Sequence, residues 1–152
     1  MSDYLQGNFP SQSIAVNDEN GMDNSLITAV ETESEQLALA IAEAASERKA
    51  GEPLVLKVAD VSYLADYFLM MTGYSRVQVR AIADAIEDKI KTEYERIPLR
   101  TEGKREGNWV LQDYGDVIVH IMMAQEREFY NLEAFWGHAQ QVQLPTNNHG
   151  GM

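Results

Sequence analysis

Val117-Ile118-Val119-His120-Ile121-Met122-Met123 is the stretch that decides the fold. Four of its residues are β-branched and only His120 is polar, so the run reads as a strand with no outward-facing polar alternation. A strand that is apolar on both sides needs cover on both sides, which places it at the centre of a sheet with helices packed against it. Extended to Ala124, the apolar run still falls far short of the roughly 20 residues that cross a bilayer. No membrane partner is expected.

Upstream, Asp113-Tyr114-Gly115-Asp116 is the turn that feeds this strand, because Asx residues and glycine suit a tight reversal. Ile97 to Thr101 and Trp109 to Asp113 flank Gly103-Lys104-Arg105-Glu106-Gly107-Asn108, predicting a hairpin with a charged tip. Leu54 to Val58 and Tyr67 to Thr72 are two further strands. Gly73 ends the second of them, and Ser75-Arg76-Val77-Gln78 is a capping box that opens a long helix. Val79, Ile82, Ala83, Ile86 and Ile90 form its inward stripe. An earlier helix is predicted from a capping box at Thr32-Glu33-Ser34-Glu35, with Leu37, Ile41, Ala44 and Ala45 on one face and a stop at Gly51 and Pro53. Downstream, Phe129, Leu132 and Trp136 space a closing amphipathic helix, with Phe129 and Phe135 assigned to the core. The sum is an α/β (α+β) fold, a mixed five-stranded sheet flanked by helices.

With 152 residues the chain is sized for about one domain, and 45% hydrophobic content suffices for its core. Residues 1–35 carry Asp3, Asp18, Glu19, Asp23, Glu31, Glu33 and Glu35 with no Lys or Arg. The early part of this segment is rich in Ser, Asn, Gln and Gly, so residues 1–29 are expected to form a disordered acidic extension that a partner does not need. Residues 30–140 form the predicted domain, and residues 141–152 a flexible tail. The extension lacks the basic start of a signal peptide and the arginines of a transit peptide. With no cysteine there is no disulfide, thiolate nucleophile or thiolate-bound zinc, and a reducing, cytoplasmic setting is expected. Twelve Lys and Arg against 24 Asp and Glu give a formal net charge of -12. Such a field disfavours nonspecific nucleic-acid binding, direct DNA binding included, and favours a basic protein partner.

No catalytic constellation stands out. Asp113 and Asp116 are better explained by their turn than by a cation, His120 by a hydrogen-bonded core position, and Ser75 by helix capping. Neither G-x-x-x-x-G-K-[ST] nor G-x-G-x-x-G occurs, so no cofactor is expected. Trp109 follows the charged hairpin tip and lies close in sequence to Glu102, Glu106 and Asp113, the composition of an interaction hot spot aimed at a basic partner, although a core position is the equal alternative.

Three ordered blocks carry a family resemblance. They are Thr72-Gly73-Tyr74-Ser75-Arg76-Val77-Gln78-Val79-Arg80-Ala81-Ile82-Ala83-Asp84, then Glu102-Gly103 with Trp109-Val110-Leu111-Gln112-Asp113-Tyr114-Gly115-Asp116-Val117-Ile118-Val119-His120, then Arg127-Glu128-Phe129-Tyr130-Asn131-Leu132-Glu133 with Trp136. From about Ser34 to Ala139 the chain resembles the ribosomal silencing factor family, also called RsfS or Iojap-like. One departure is that the family's Arg two places after the Ser is here Val77, while Arg76 stands one place earlier. The resemblance implies a nucleotidyltransferase-like fold without the metal-binding carboxylates, and no catalysis. It also implies binding to the fourteenth protein of the large ribosomal subunit, exclusion of the small subunit, repression of translation under nutrient limitation, and a homodimer when free. On that basis Trp109 and Tyr130 are the expected anchors, with Glu102, Asp113 and Asp116 as acidic contacts. The alternative is a divergent magnesium-dependent nucleotidyltransferase using Ser75 with Asp84 or Asp116.

Overall fold

A computed structural model describes residues 22–145, with side chains from Glu33 onward. The elements are helix α1 (Met22–Glu47), strands β1 (Gly51–Lys57) and β2 (Tyr67–Gly73), helix α2 (Arg76–Tyr94), strands β3 (Arg100–Glu102), β4 (Trp109–Asp113) and β5 (Val117–Met123), short helices α3 (Ala124–Tyr130) and α4 (Leu132–Phe135), and strand β6 (Gln140–Gln141). They form a mixed sheet in the order β3-β4-β5-β2-β1-β6. All pairs are antiparallel except β2 with β5, which run in register from Tyr67 opposite Val117 to Gly73 opposite Met123. The expected α+β architecture is therefore present, with β5 in the interior and the β3-β4 hairpin on one edge.

The sheet has six strands where five were expected. The sixth straddles the expected boundary between domain and flexible tail: Gln140 and Gln141 pair with Lys57 and Leu56, and the Val142 amide donates to the Val55 carbonyl at 2.8 Å. Two polar glutamines show no strand pattern, and only the open edge of β1 supplies their backbone partners. Residues 146–152, the last part of that tail, lie outside the described residues.

Helix α1 begins at Met22, before the capping box at Thr32, which falls inside it. No Gly or Pro interrupts the chain from Met22 to Ala50, so nothing in the backbone chemistry halts the helix at Thr32. Of the extension assigned to residues 1–29, residues 1–21 lie outside the described residues.

One sheet face carries the main core. Val55, Tyr67, Leu69, Met71, Val110, Val117, Val119 and Ile121 meet Leu37, Ile41, Ala44 and Ala45 of α1 and the predicted stripe Val79, Ile82, Ala83, Ile86 and Ile90 of α2. Each fully buried isoleucine contributes about 2 kcal/mol of transfer free energy. The opposite face is covered only in part: Leu56, Val58, Ala65, Phe68 and Met70 pack with Ile118, Leu132, Trp136 and Ala139. The expected closing helix is broken, because Asn131 adopts the left-handed conformation (φ 45) and separates α3 from α4. The break turns Leu132 and Trp136 onto the sheet but leaves Phe129 and Phe135 exposed, correcting their assignment to the core.

Ser75 caps α2 as the sequence indicates, its hydroxyl accepting from the Gln78 amide at 3.0 Å. Gln78 reaches further than a capping box requires. Its Oε1 accepts from the Tyr74 amide at 2.7 Å, and its Nε2 donates to the carbonyls of Arg48 and Lys49 at 3.0 and 3.1 Å. This one side chain ties the end of α1 to the start of α2.

Candidate functional site

The sheet face left open by α4 carries a row of aromatic rings. Trp109, at the start of β4, pairs in register with Met122 of β5, which brings its indole over His120. The Trp109 Nε1–H donates to His120 Nδ1 at 3.1 Å. Burial pushes the His120 pKa down to about 4, so the ring is neutral near pH 7 and its Nδ1 remains an acceptor. Trp109 also lies against Tyr130, with ring centroids 5.0 Å apart, and Tyr130 meets Phe129 edge-on at 4.9 Å. Behind them, Phe68 contacts both His120 and Trp136 edge-on. Phe129 is 77% exposed and Tyr130 48% exposed. With Asn108, Trp109, Gln125 and Glu126 they line a cavity of about 340 Å³. Trp109 itself is neither free nor fully buried: its polar edge is held by His120 and its face supports Tyr130. Two aromatic side chains that no core claims, resting on a ring fixed by a hydrogen bond, form a preorganised apolar anchor surface.

The acidic residues singled out by sequence are not gathered around these rings. Glu102 is exposed on the edge strand β3 and pairs with Arg100 of the same strand at 3.3 Å. Asp113 ends β4, and its Oδ1 accepts from the Gly115 amide at 2.8 Å, the Asx turn its sequence context suggests. Asp116 precedes β5, at the opposite end of that strand from Met122 and hence roughly 20 Å from Trp109 at about 3.3 Å per residue. Its carboxylate binds Arg96 at 2.8 Å and accepts from the Ser34 hydroxyl at 3.0 Å. Burial alone raises its pKa, but the Arg96 hydrogen bond and charge outweigh that and hold it below the ordinary value. The acid that lines the cavity with the rings is Glu126, which accepts from Asn108 Nδ2 at 3.1 Å.

The residues of the magnesium alternative are dispersed as well. Ser75 follows β2 at its carboxyl end while Asp116 sits beside the amino end of β2, where its carbonyl accepts from the Asp66 and Tyr67 amides. The length of a seven-residue strand, about 20 Å, separates them. Asp84 is nine residues along α2 from Ser75, a rise of about 13 Å, and is paired with Lys104. Among the described residues no three His, Cys, Asp or Glu side chains converge on a point that would hold a metal ion. No described helix is long and apolar enough to cross a membrane.

Two positions carry more weight than sequence reasoning gave them. Arg127, buried between sheet and α3, donates to the Glu52 carbonyl at 2.8 Å, to Thr72 Oγ1 at 3.0 Å and to Glu133 at 2.7 Å, fixing α3 and thereby Phe129 and Tyr130. An arginine six residues before a glutamate is the only local signal, and nothing local foretells the distant strand partners. Gly103 (φ 85) lies so close to the Trp109 carbonyl that an added Cβ would stand 2.0 Å from it. The glycine thus lets the hairpin close over the strand that carries the tryptophan.

Comparisons with known proteins bear on the fold and the family. A family model described as "Ribosomal silencing factor during starvation" matches residues 31–150. The ribosomal silencing factor RsfS of Halalkalibacterium halodurans is 41% identical over 110 residues, covering 72% of this chain and 92% of that protein. The chloroplastic protein Iojap of Arabidopsis thaliana is 36% identical over 118 residues, 76% of this chain and 49% of the plant protein. The chain thus spans about half the length of the plant relatives it matches. A crystal structure of a Chromobacterium violaceum protein superposes with a TM-score of 0.66 at 31% identity, over 74% of this chain and 92% of the other. The family match runs through both helical layers and every strand, including the aromatic face, and the chain belongs to the ribosomal silencing factor (RsfS) family.

Proposed function

We propose that this chain represses translation by occupying the large ribosomal subunit, chiefly on that subunit's fourteenth protein, so that the small subunit is sterically excluded when nutrients are scarce. The observation that carries this reading is the exposed aromatic pair Phe129 and Tyr130 over Trp109, bordering a cavity on a strongly acidic chain. Aromatic anchors with one acid, Glu126, at the cavity rim, on a chain of net charge -12, suit a basic protein surface. Trp109 and Tyr130 act as anchors, with Phe129 beside them. Glu102 offers an exposed acidic contact at the neighbouring edge, while Asp113 and Asp116 shape the turn that leads into the site strand. The mechanism is occupancy, without catalysis or cofactor, by a cytoplasmic protein that is a homodimer when free.

Co-sedimentation with purified large subunits tests the reading. A stable complex that no longer recruits small subunits is the expected result, and failure to bind at low salt overturns it. Calorimetry with nucleoside triphosphates and magnesium addresses the enzymatic alternative, for which the silencing mechanism predicts no heat of binding.

A further inference from the structure

Basic residues are scarce in this chain, twelve against 24 acids, yet several converge at one end. Arg76 opens α2, and Arg80 stands one turn later. The charged hairpin tip folds back onto them: Arg80 Nη1 donates to the Arg105 carbonyl at 3.1 Å. A Cβ built on Gly107 would lie 2.5 Å from Arg80 Nη1 and 3.1 Å from the Arg76 Cβ, so the tip backbone runs directly against both arginines. Through Gln78, the end of α1 brings the backbone of Arg48 and Lys49 to the same helix start. Among the described residues none of these five cations has a carboxylate within ion-pair distance, whereas Lys89, Arg96, Arg100, Lys104 and Arg127 are all paired. The first turn of α2 contains no acid to neutralise its helix dipole.

We infer that Arg76, Arg80 and Arg105 form a patch that binds the phosphodiester backbone of RNA. Of the acids beside it, Asp84 is paired with Lys104 and Glu106 adjoins Arg105, leaving Glu106 against three guanidinium groups, while charges beyond a Debye length of about 8 Å at physiological salt are screened. Guanidinium forks suit phosphate oxygens, and the patch needs no base contacts. It lies at the same end of the sheet as the aromatic site, with α2 on one face and the Trp109 and His120 rings on the other, and Trp109 is two residues beyond Gly107, a reach of about 7 Å. Resting on the function proposed above, this makes the docking surface bipartite, with rings for ribosomal protein and arginines for the RNA beside it.

The test is a salt series of binding to purified large subunits by full-length wild type, R76Q/R80Q/R105Q, the single reversal R105E and W109A. Arg105 is exposed and, among the described residues, its side chain has no ion-pair partner, so R105E is expected to leave the fold intact, as an unchanged thermal midpoint will show. Each lost phosphate contact removes about 0.7 to 0.9 from the slope of log affinity against log salt, so the triple variant is expected to flatten that slope by about 2 to 3 and R105E by about 1. W109A weakens binding at every salt with the slope preserved. Wild-type slopes in both arginine variants overturn the RNA patch and leave the silencing function standing. A flattening reproduced on the subunit's fourteenth protein alone, free of RNA, shows that the arginines read protein and also overturns it. No wild-type binding at any salt overturns both.

Discussion

The Trp109 indole N–H donates to His120 Nδ1 across the β4-β5 pair, so the largest ring of the proposed docking face is held by a neutral histidine on the neighbouring strand. This bond requires an unprotonated Nδ1. The folded pKa is lowered to about 4 against an ordinary 6.5, so the unfolded chain takes up the proton first as pH falls. The His120 contribution is intact above about pH 6.5, declines between there and about pH 4, and is then fully lost, a change of about 3 kcal/mol. Urea midpoints measured from pH 7.5 to 4 are expected to show this decline in wild type and a shallower one in H120N. The asparagine Oδ1 still accepts from the indole, so H120N also keeps the Trp109 indole proton shift by NMR, whereas H120F loses it. Equal pH profiles for wild type and H120N contradict the assignment.

Tyr130 and Phe129 are exposed, so on the proposed function their removal is expected to act on docking and little on folding. Y130A and F129A are each expected to change stability by less than about 0.5 kcal/mol, as surface substitutions do. Their affinity for large subunits is expected to fall by about tenfold or more. W109A combines about a 30-fold loss of affinity with a modest stability loss, because it also removes the donor to His120. Denaturation curves paired with subunit co-sedimentation separate the two effects, and a collapse of folding in Y130A would place that ring in the core.

Asp116 joins Arg96 and Ser34 at the far end of the sheet. Its lowered pKa means its stabilising contribution is present above the ordinary carboxylate range and vanishes as pH falls through the folded value. With the pair partly open to solvent, D116N is expected to cost about 1 kcal/mol at pH 7 and less at pH 3. Chemical denaturation at the two pH values checks this. A large effect on subunit binding with unchanged stability would instead make Asp116 a direct contact.

Gly103 is the hinge of the hairpin that presents Trp109. G103A places a Cβ against the Trp109 carbonyl at a positive φ, and is expected to cost about 2 kcal/mol or more. Loss of the Trp109 near-ultraviolet circular dichroism signal should accompany the lower melting temperature. A fully stable G103A with native Trp109 signals would rule out the tight closure.

The elements built from local chemistry were legible in the chain: the apolar run of β5, the capping box and 3.6-residue stripe of α2, the turn at Asp113 to Asp116 and the hairpin around Gly103 to Asn108. Periodicity and turn residues act within a few positions, so one sequence suffices to read them. The same holds for Trp109 and Tyr130 as individual aromatic candidates.

What they do together was decided by the tertiary fold. Strand register puts Trp109 over His120, the left-handed turn at Asn131 leaves Phe129 outward while Trp136 packs onto the sheet, and the open edge of β1 makes a strand of two glutamines. Likewise, Asp116 became a partner of Arg96, and Arg76, Arg80 and Arg105 were gathered from a predominantly acidic chain. These are relations between residues as many as 85 positions apart, as Leu56 and Gln141 are, in which backbone hydrogen bonding and burial choose the neighbours; the side chains' own chemistry says only what each can do once it arrives.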